Sequence, residues 1–182
     1  MKRTLGSMAL GAFVVGLVAS PAVAQRPYIF GGGGATAPAG DFNTYAKTGW
    51  TANGGVGMDL AMKGAWIEAE GFYGSNKHSA VTGDKTNVIA GFGAIGYSFM
   101  PDKKLSPYVL GGAGIRAHQF RSEGSPLTNE SSTNFAYTGA AGLSYTLSPM
   151  VGFWLEGRWI GSEGTNLMPL VAGVTLHLGK AK

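Results

Sequence analysis

The chain has 182 residues, 14 of them basic, 10 acidic and none cysteine. Without cysteine there is no disulfide framework and no thiolate metal site. A net charge of +4, scattered along the chain, excludes the concentrated basic stripe of a nucleic-acid binder.

The first residues are a processing segment. Lys2 and Arg3 precede the apolar run Met8–Val18, and Ala22-Val23-Ala24 follows. A basic start, a short apolar run and a small-residue cleavage site are the layout of a secretory signal. The run falls short of the roughly 20 residues a membrane-spanning helix needs. Residues 1–24 are therefore expected to be a cleaved signal peptide, and residues 25–182 one domain. The 31 glycines follow no G-X-Y period, which excludes collagen.

Eight segments of the remainder read as strands: Arg26–Ala37, Thr48–Leu60, Gly64–Gly74, Thr86–Met100, Leu105–Phe120, Ser132–Leu147, Met150–Gly161 and Asn166–Leu178. In a strand, alternate side chains face opposite sides. In the second segment Trp50, Ala52, Gly54, Val56 and Met58 oppose Thr51, Asn53, Gly55, Gly57 and Asp59. In the third, Ala65, Ile67, Ala69 and Tyr73 oppose Trp66, Glu68, Glu70 and Phe72. The fourth is apolar on both faces (Val88, Ala90 and Phe92 against Ile89, Ile95, Tyr97 and Phe99), and a bulge that switches sides is one way to reconcile them.

In the fifth segment Val109, Ala113, Ile115 and Ala117 oppose Arg116 and His118. The sixth sets Phe135, Tyr137, Leu143 and Tyr145 against small polar residues from Asn134 to Thr146. The seventh places Val151, Phe153, Leu155, Gly157 and Trp159 opposite Trp154, Glu156 and Arg158. The eighth sets Leu170, Val174, Leu176 and Leu178 against Thr175 and His177. Connections alternate between long and short, which predicts an up-and-down antiparallel meander closing on itself.

A soluble barrel would carry its charged face outward. Here the polar faces are small and nearly uncharged, which suits the narrow interior of a membrane barrel whose apolar face meets lipid. Tyr28, Phe30, Trp50, Tyr73, Tyr97, Phe99, Tyr108, Phe120, Phe135, Tyr145 and Trp159 lie toward strand ends, where an interfacial girdle is expected. The expected fold is all-β: an eight-stranded antiparallel up-and-down transmembrane β-barrel.

With strands such as Y-I-F-G-G-G-G and F-G-A-I-G-Y-S-F, the chain resembles the small eight-stranded outer-membrane β-barrel proteins, the OmpX-, OmpW- and opacity-type proteins and the barrel half of OmpA. The resemblance covers Gln25–Leu178. The family's C-terminal assembly signal is matched by Gly173-Val174-Thr175-Leu176-His177-Leu178, with Ala172 in place of its polar residue and Leu178 in place of its terminal aromatic. The resemblance implies residence in the outer membrane of a Gram-negative envelope, lipid neighbours, and insertion by the barrel-assembly machinery through the last strand. It implies a monomer with no cofactor, and leaves any surface partner unknown.

Glu68, Glu70, Arg116, His118, Glu156 and Arg158 fall on the expected interior faces of three strands. Buried charges must pair, so a side-chain network filling the lumen is the first expectation. A rearrangeable gate for small solutes is the second, and a catalytic carboxylate pair is the remote third. His78, Ser79 and Asp84 share a loop, where a base–nucleophile hydrogen bond is not to be expected between near-adjacent residues. His78, His118 and His177 share no metal-ligand spacing. Gly31–Gly34 lacks the G-K-[ST] of a phosphate loop. A non-enzymatic barrel with a structural or surface-interaction role is expected; a solute channel is the alternative, and a lipid-modifying enzyme the remote one.

Overall fold

Strict alternation dictates the architecture. In the computed structural model, which describes residues 26–40, 44, 46–77, 85–121, 131–162 and 166–178, eight strands form one closed barrel in sequence order. They are β1 (Pro27–Ala39), β2 (Gly49–Asp59), β3 (Ala65–Lys77), β4 (Lys85–Ser98), β5 (Leu105–Arg121), β6 (Ser131–Thr146), β7 (Val151–Ser162) and β8 (Asn166–His177). Every neighbouring pair is antiparallel, and β8 closes on β1 through Tyr28 opposite His177 to Ala39 opposite Asn166. The signal-like residues 1–24, and the loop residues His78, Ser79 and Asp84, lie outside the described residues.

The short turns gather at one end of the barrel and the long connections at the other. At the turn end Gly64 has φ +84°, a left-handed conformation that suits glycine. Leu178 N–H donates to the Pro27 carbonyl at 2.7 Å, so both ends of the described chain also meet there. At the loop end Asn76 donates to the Thr36 and Lys47 carbonyls at 3.1 and 2.8 Å, tying the first connection across the rim.

The outer surface is apolar. Ile29, Ile89, Ile95, Ile115, Leu143, Leu155 and Leu170 all stand exposed, a band that would be untenable in water but suits hydrocarbon. Trp50, Phe135, Tyr137 and Trp159 flank it toward the loop end, and Tyr97, Phe99, Tyr145 and Phe153 toward the turn end. Three aromatics expected in this girdle belong elsewhere. Tyr28, Phe30 and Tyr108 point into the lumen, because the outward positions beside them are taken by Ile29 and Val109. The side chain of Phe120 lies outside the described residues.

The expected bulge in β4 is also corrected. Its pairing with β3 and β5 is continuous from Lys85 to Tyr97, so Val88, Ala90 and Phe92 all face inward and Ile89, Ile95 and Tyr97 outward. Both faces are apolar because an apolar cluster fills part of the lumen: Phe72, Val88, Ala90, Phe92, Ala136, Ile160 and Leu167 form one buried cluster with Ala46.

The two halves of the barrel repeat each other. Pro27-Tyr28-Ile29-Phe30-Gly31-Gly32 on β1 matches Pro107-Tyr108-Val109-Leu110-Gly111-Gly112 on β5, and Trp66-Ile67-Glu68-Ala69-Glu70 on β3 matches Trp154-Leu155-Glu156-Gly157-Arg158 on β7. Strands four apart in an eight-strand ring lie diametrically opposite. Each inward tyrosine and tryptophan of these repeats rests on a glycine of a neighbouring strand: Tyr28 on Gly57, Tyr108 on Gly142, Trp66 on Gly96 and Trp154 on Gly173. A Cβ at Gly96 would meet the Trp66 indole. Overpacking of this kind costs about 1–3 kcal/mol, so Gly96→Val should lower the urea midpoint of the micelle-bound barrel, whereas Gly111→Val, where a Cβ meets nothing within 4 Å, should not.

Candidate functional site

The lumen contains a charged layer and a cavity beneath it. Glu68 and Glu70 on β3 face Glu156 and Arg158 on β7 from opposite walls. Arg158 reaches across: its Nη1 pairs with Glu70 Oε2, and its Nη2 and Nε meet Glu156 Oε1 at 2.6 and 2.7 Å. The remaining carboxylate oxygens take neutral donors. Asn53 Nδ2 donates to Glu70 Oε1 at 2.6 Å, and the Tyr108 hydroxyl donates to Glu156 Oε2 at 2.9 Å. These side chains are almost fully withdrawn from solvent, where an ion pair survives only if its remaining hydrogen bonds are made. Glu70 and Arg158 occupy equivalent positions of the two repeats. An acid and a base stand where two copies of either would repel.

Glu68 is placed differently. It accepts a hydrogen bond from the Tyr28 hydroxyl at 3.2 Å, and it belongs to none of the ion pairs among the described residues. Arg116 is wholly buried on β5, but its register opposite Ala90 and Asn134 puts it in the loop-end half. The Glu70–Arg158–Glu156 triad forms without it. His118 lies on β5 opposite Val88 and Ser132; its side chain is outside the described residues.

Toward the loop end the triad is capped by Phe72, Phe92, Ile160 and Leu167, each no more than 3 % exposed. Toward the turn end lies a cavity of about 440 Å³ walled by Tyr28, Phe30, Trp66, Tyr108 and Trp154, opening among Lys63, Pro101 and Ser148. The rings pack edge to face: Trp66 on Tyr108 at 5.5 Å and Phe30 on Trp154 at 6.5 Å between centroids. Alternation exposed the charges to sequence reading. It also set Trp66 and Trp154 on those inner faces, but it missed Tyr28, Phe30 and Tyr108, and for the two tyrosines the signal was the repeated Pro-Tyr at the start of β1 and β5.

Among the described residues no cluster of His, Asp and Glu could hold a metal ion, and no helix is long and apolar enough to cross a membrane; the crossing is made by strands. Curated protein sequences include no match to this chain. Neisserial surface protein A superposes with a TM-score of 0.66 at 14% identity, over 82% of this chain and 96% of that one. The N-terminal β-barrel domain of OprF from Pseudomonas aeruginosa gives 0.55 at 17%, over 84% and 97%. Ail from Yersinia pestis, in complex with the heparin analogue sucrose octasulfate, gives 0.56 at 12%, over 85% and 97%. At these identities the likeness is one of fold. The family model for the outer membrane protein beta-barrel domain matches residues 9–167, and with the closed eight-stranded barrel and its apolar belt it makes this chain an outer-membrane β-barrel protein of that family.

Proposed function

We propose that the barrel does not conduct solutes and serves as a scaffold that holds its long loops at the cell surface, without enzymatic activity of its own. The observation that supports this most is the double closure of the lumen, by the Arg158 triad and by the apolar cluster above it. A hydrated path would have to break a buried ion pair and then wet a packed apolar layer, and each step is costly.

In this reading the short turns and both termini face the periplasm, as in barrels with short periplasmic turns and longer external loops. Residues 1–24 are removed on export, lipid surrounds a monomeric barrel, and β8 carries the signal for assembly. The test is electrical. Purified protein reconstituted in a planar bilayer should give no resolved current steps, and steady channels of uniform conductance would overturn the reading. Orientation has its own check. Trypsin added to intact cells should cut at Lys77 or Lys85 and spare Lys103-Lys104; the reverse pattern would invert the topology.

A further inference from the structure

The turn-end cavity is built for more than filling space. Its floor holds the carboxylates of Glu68 and Glu156, with Glu70 just behind them, and among the described residues the guanidinium in this layer is that of Arg158, which Glu70 and Glu156 already engage. The carboxylate left over is Glu68. It is 8 % exposed, lines the cavity, and has the Tyr28 hydroxyl as its neutral donor and no direct ion pair among the described residues, Arg158 acting on it only from beyond contact. A buried carboxylate that makes no ion pair is costly, and one facing a cavity invites a cation into it.

A second, independent acceptor points the same way. Asn53 must direct its Nδ2 at Glu70, because a carboxylate needs a donor. That leaves its Oδ1 buried in the cavity wall with no partner among the described residues. The walls are aromatic: Tyr28, Phe30, Trp66 and Trp154. Aromatic faces attract large, weakly hydrated cations, most strongly where water is thin. A small hard metal ion would want more oxygen ligands than are gathered here.

The basic residues near the mouth are already engaged, Arg26 standing beside Asp59 on the cavity wall. Arg26 Nη2 donates to the Pro149 carbonyl, and Lys63 pairs with Asp102 at 2.6 Å on the exposed surface. Lys103 lies out on the short turn among exposed residues.

We propose that this vestibule is a binding site for a small organic ammonium ion, with Glu68 as its counter-charge and the Trp66, Trp154 and Tyr28 rings as its cage. The ion enters from the turn end and stops at the triad. The inference rests on the vestibule alone and is independent of whether the lumen above it conducts.

Choline is the probe, titrated by calorimetry into the refolded barrel in a non-ionic maltoside, since a phosphocholine detergent would itself compete. The buffer is low in salt and mildly alkaline. Saturable one-to-one binding is expected, with 3,3-dimethyl-1-butanol, the neutral isostere, binding at least about tenfold more weakly because it offers the rings and Glu68 no charge. Glu68→Gln keeps the size of the side chain and an acceptor for Tyr28, and should weaken choline by about tenfold or more through loss of the ionic contact. Glu68→Asp should recover part of that loss. Heat-modifiable gel migration would establish that each variant is folded. No binding of choline to the wild type, equal binding of the neutral isostere, or equal affinity in folded Glu68→Gln would each overturn the proposal.

Discussion

Arg158→Glu is expected to be the most damaging single substitution in the lumen. Arg158 bonds both Glu70 and Glu156 in a layer that solvent barely reaches. Reversing its charge would leave four carboxylates together and no cation among them. Removing one partner of a buried pair costs about 3–5 kcal/mol, against about 0–1 for a solvated charge. Urea unfolding in detergent micelles should therefore show Arg158→Glu far below wild type, or unable to refold, while Lys77→Glu at the exposed end of β3 stays within about 1 kcal/mol. The charge swap, Glu70→Arg with Arg158→Glu, should recover part of the loss, because the pair spans the lumen and its coupling is measurable in a double-mutant cycle. If Arg158→Glu unfolds with Lys77→Glu, the side chain does not sit in the lumen.

The second large effect belongs to the outer face. Leu170 is 58% exposed near the middle of β8, opposite Ala35 and Gly157, and Leu105 is 53% exposed at the first residue of β5. Exposure is nearly equal, so in water the two would tolerate arginine alike. In a bilayer they should differ: arginine costs about 2–4 kcal/mol at the midplane of a membrane barrel and about 0–1 near the interface. Leu170→Arg in lipid vesicles should lose several times as much stability as Leu105→Arg. Equal losses would remove the depth dependence that lipid imposes.

How much of this was legible in the sequence depended on whether polarity and direction coincide. Where they do, as in β3 and β7, a period of two was enough to set Glu68, Glu70, Glu156 and Arg158 on inner walls. Where they part, it failed. Val88, Ala90 and Phe92 are as apolar as the lipid-facing Ile89 and Ile95, and only the unbroken register of β4 shows that they fill the lumen. Tyr28, Phe30 and Tyr108 look like girdle aromatics at strand ends, yet they turn inward, where glycines of neighbouring strands leave room for them and, for the two tyrosines, carboxylates accept their hydroxyls. Arg116 shares an inner face with the triad but stands too far along β5 to be one of its partners, and facing alone carries no information about height.

The shape of the lumen is the claim on which the rest depends: a cavity open at the turn end and blind above Arg158. The chain contains no cysteine, so single introduced thiols report access without background. Thr175 lines the cavity, and Ala136 faces inward beyond the triad with 0% exposure. In the folded barrel, a water-soluble maleimide should label Thr175→Cys to completion and leave Ala136→Cys unlabelled until urea unfolds it. Labelling of both thiols at similar rates in the folded state would mean that water runs through the barrel, and the blind lumen would be wrong.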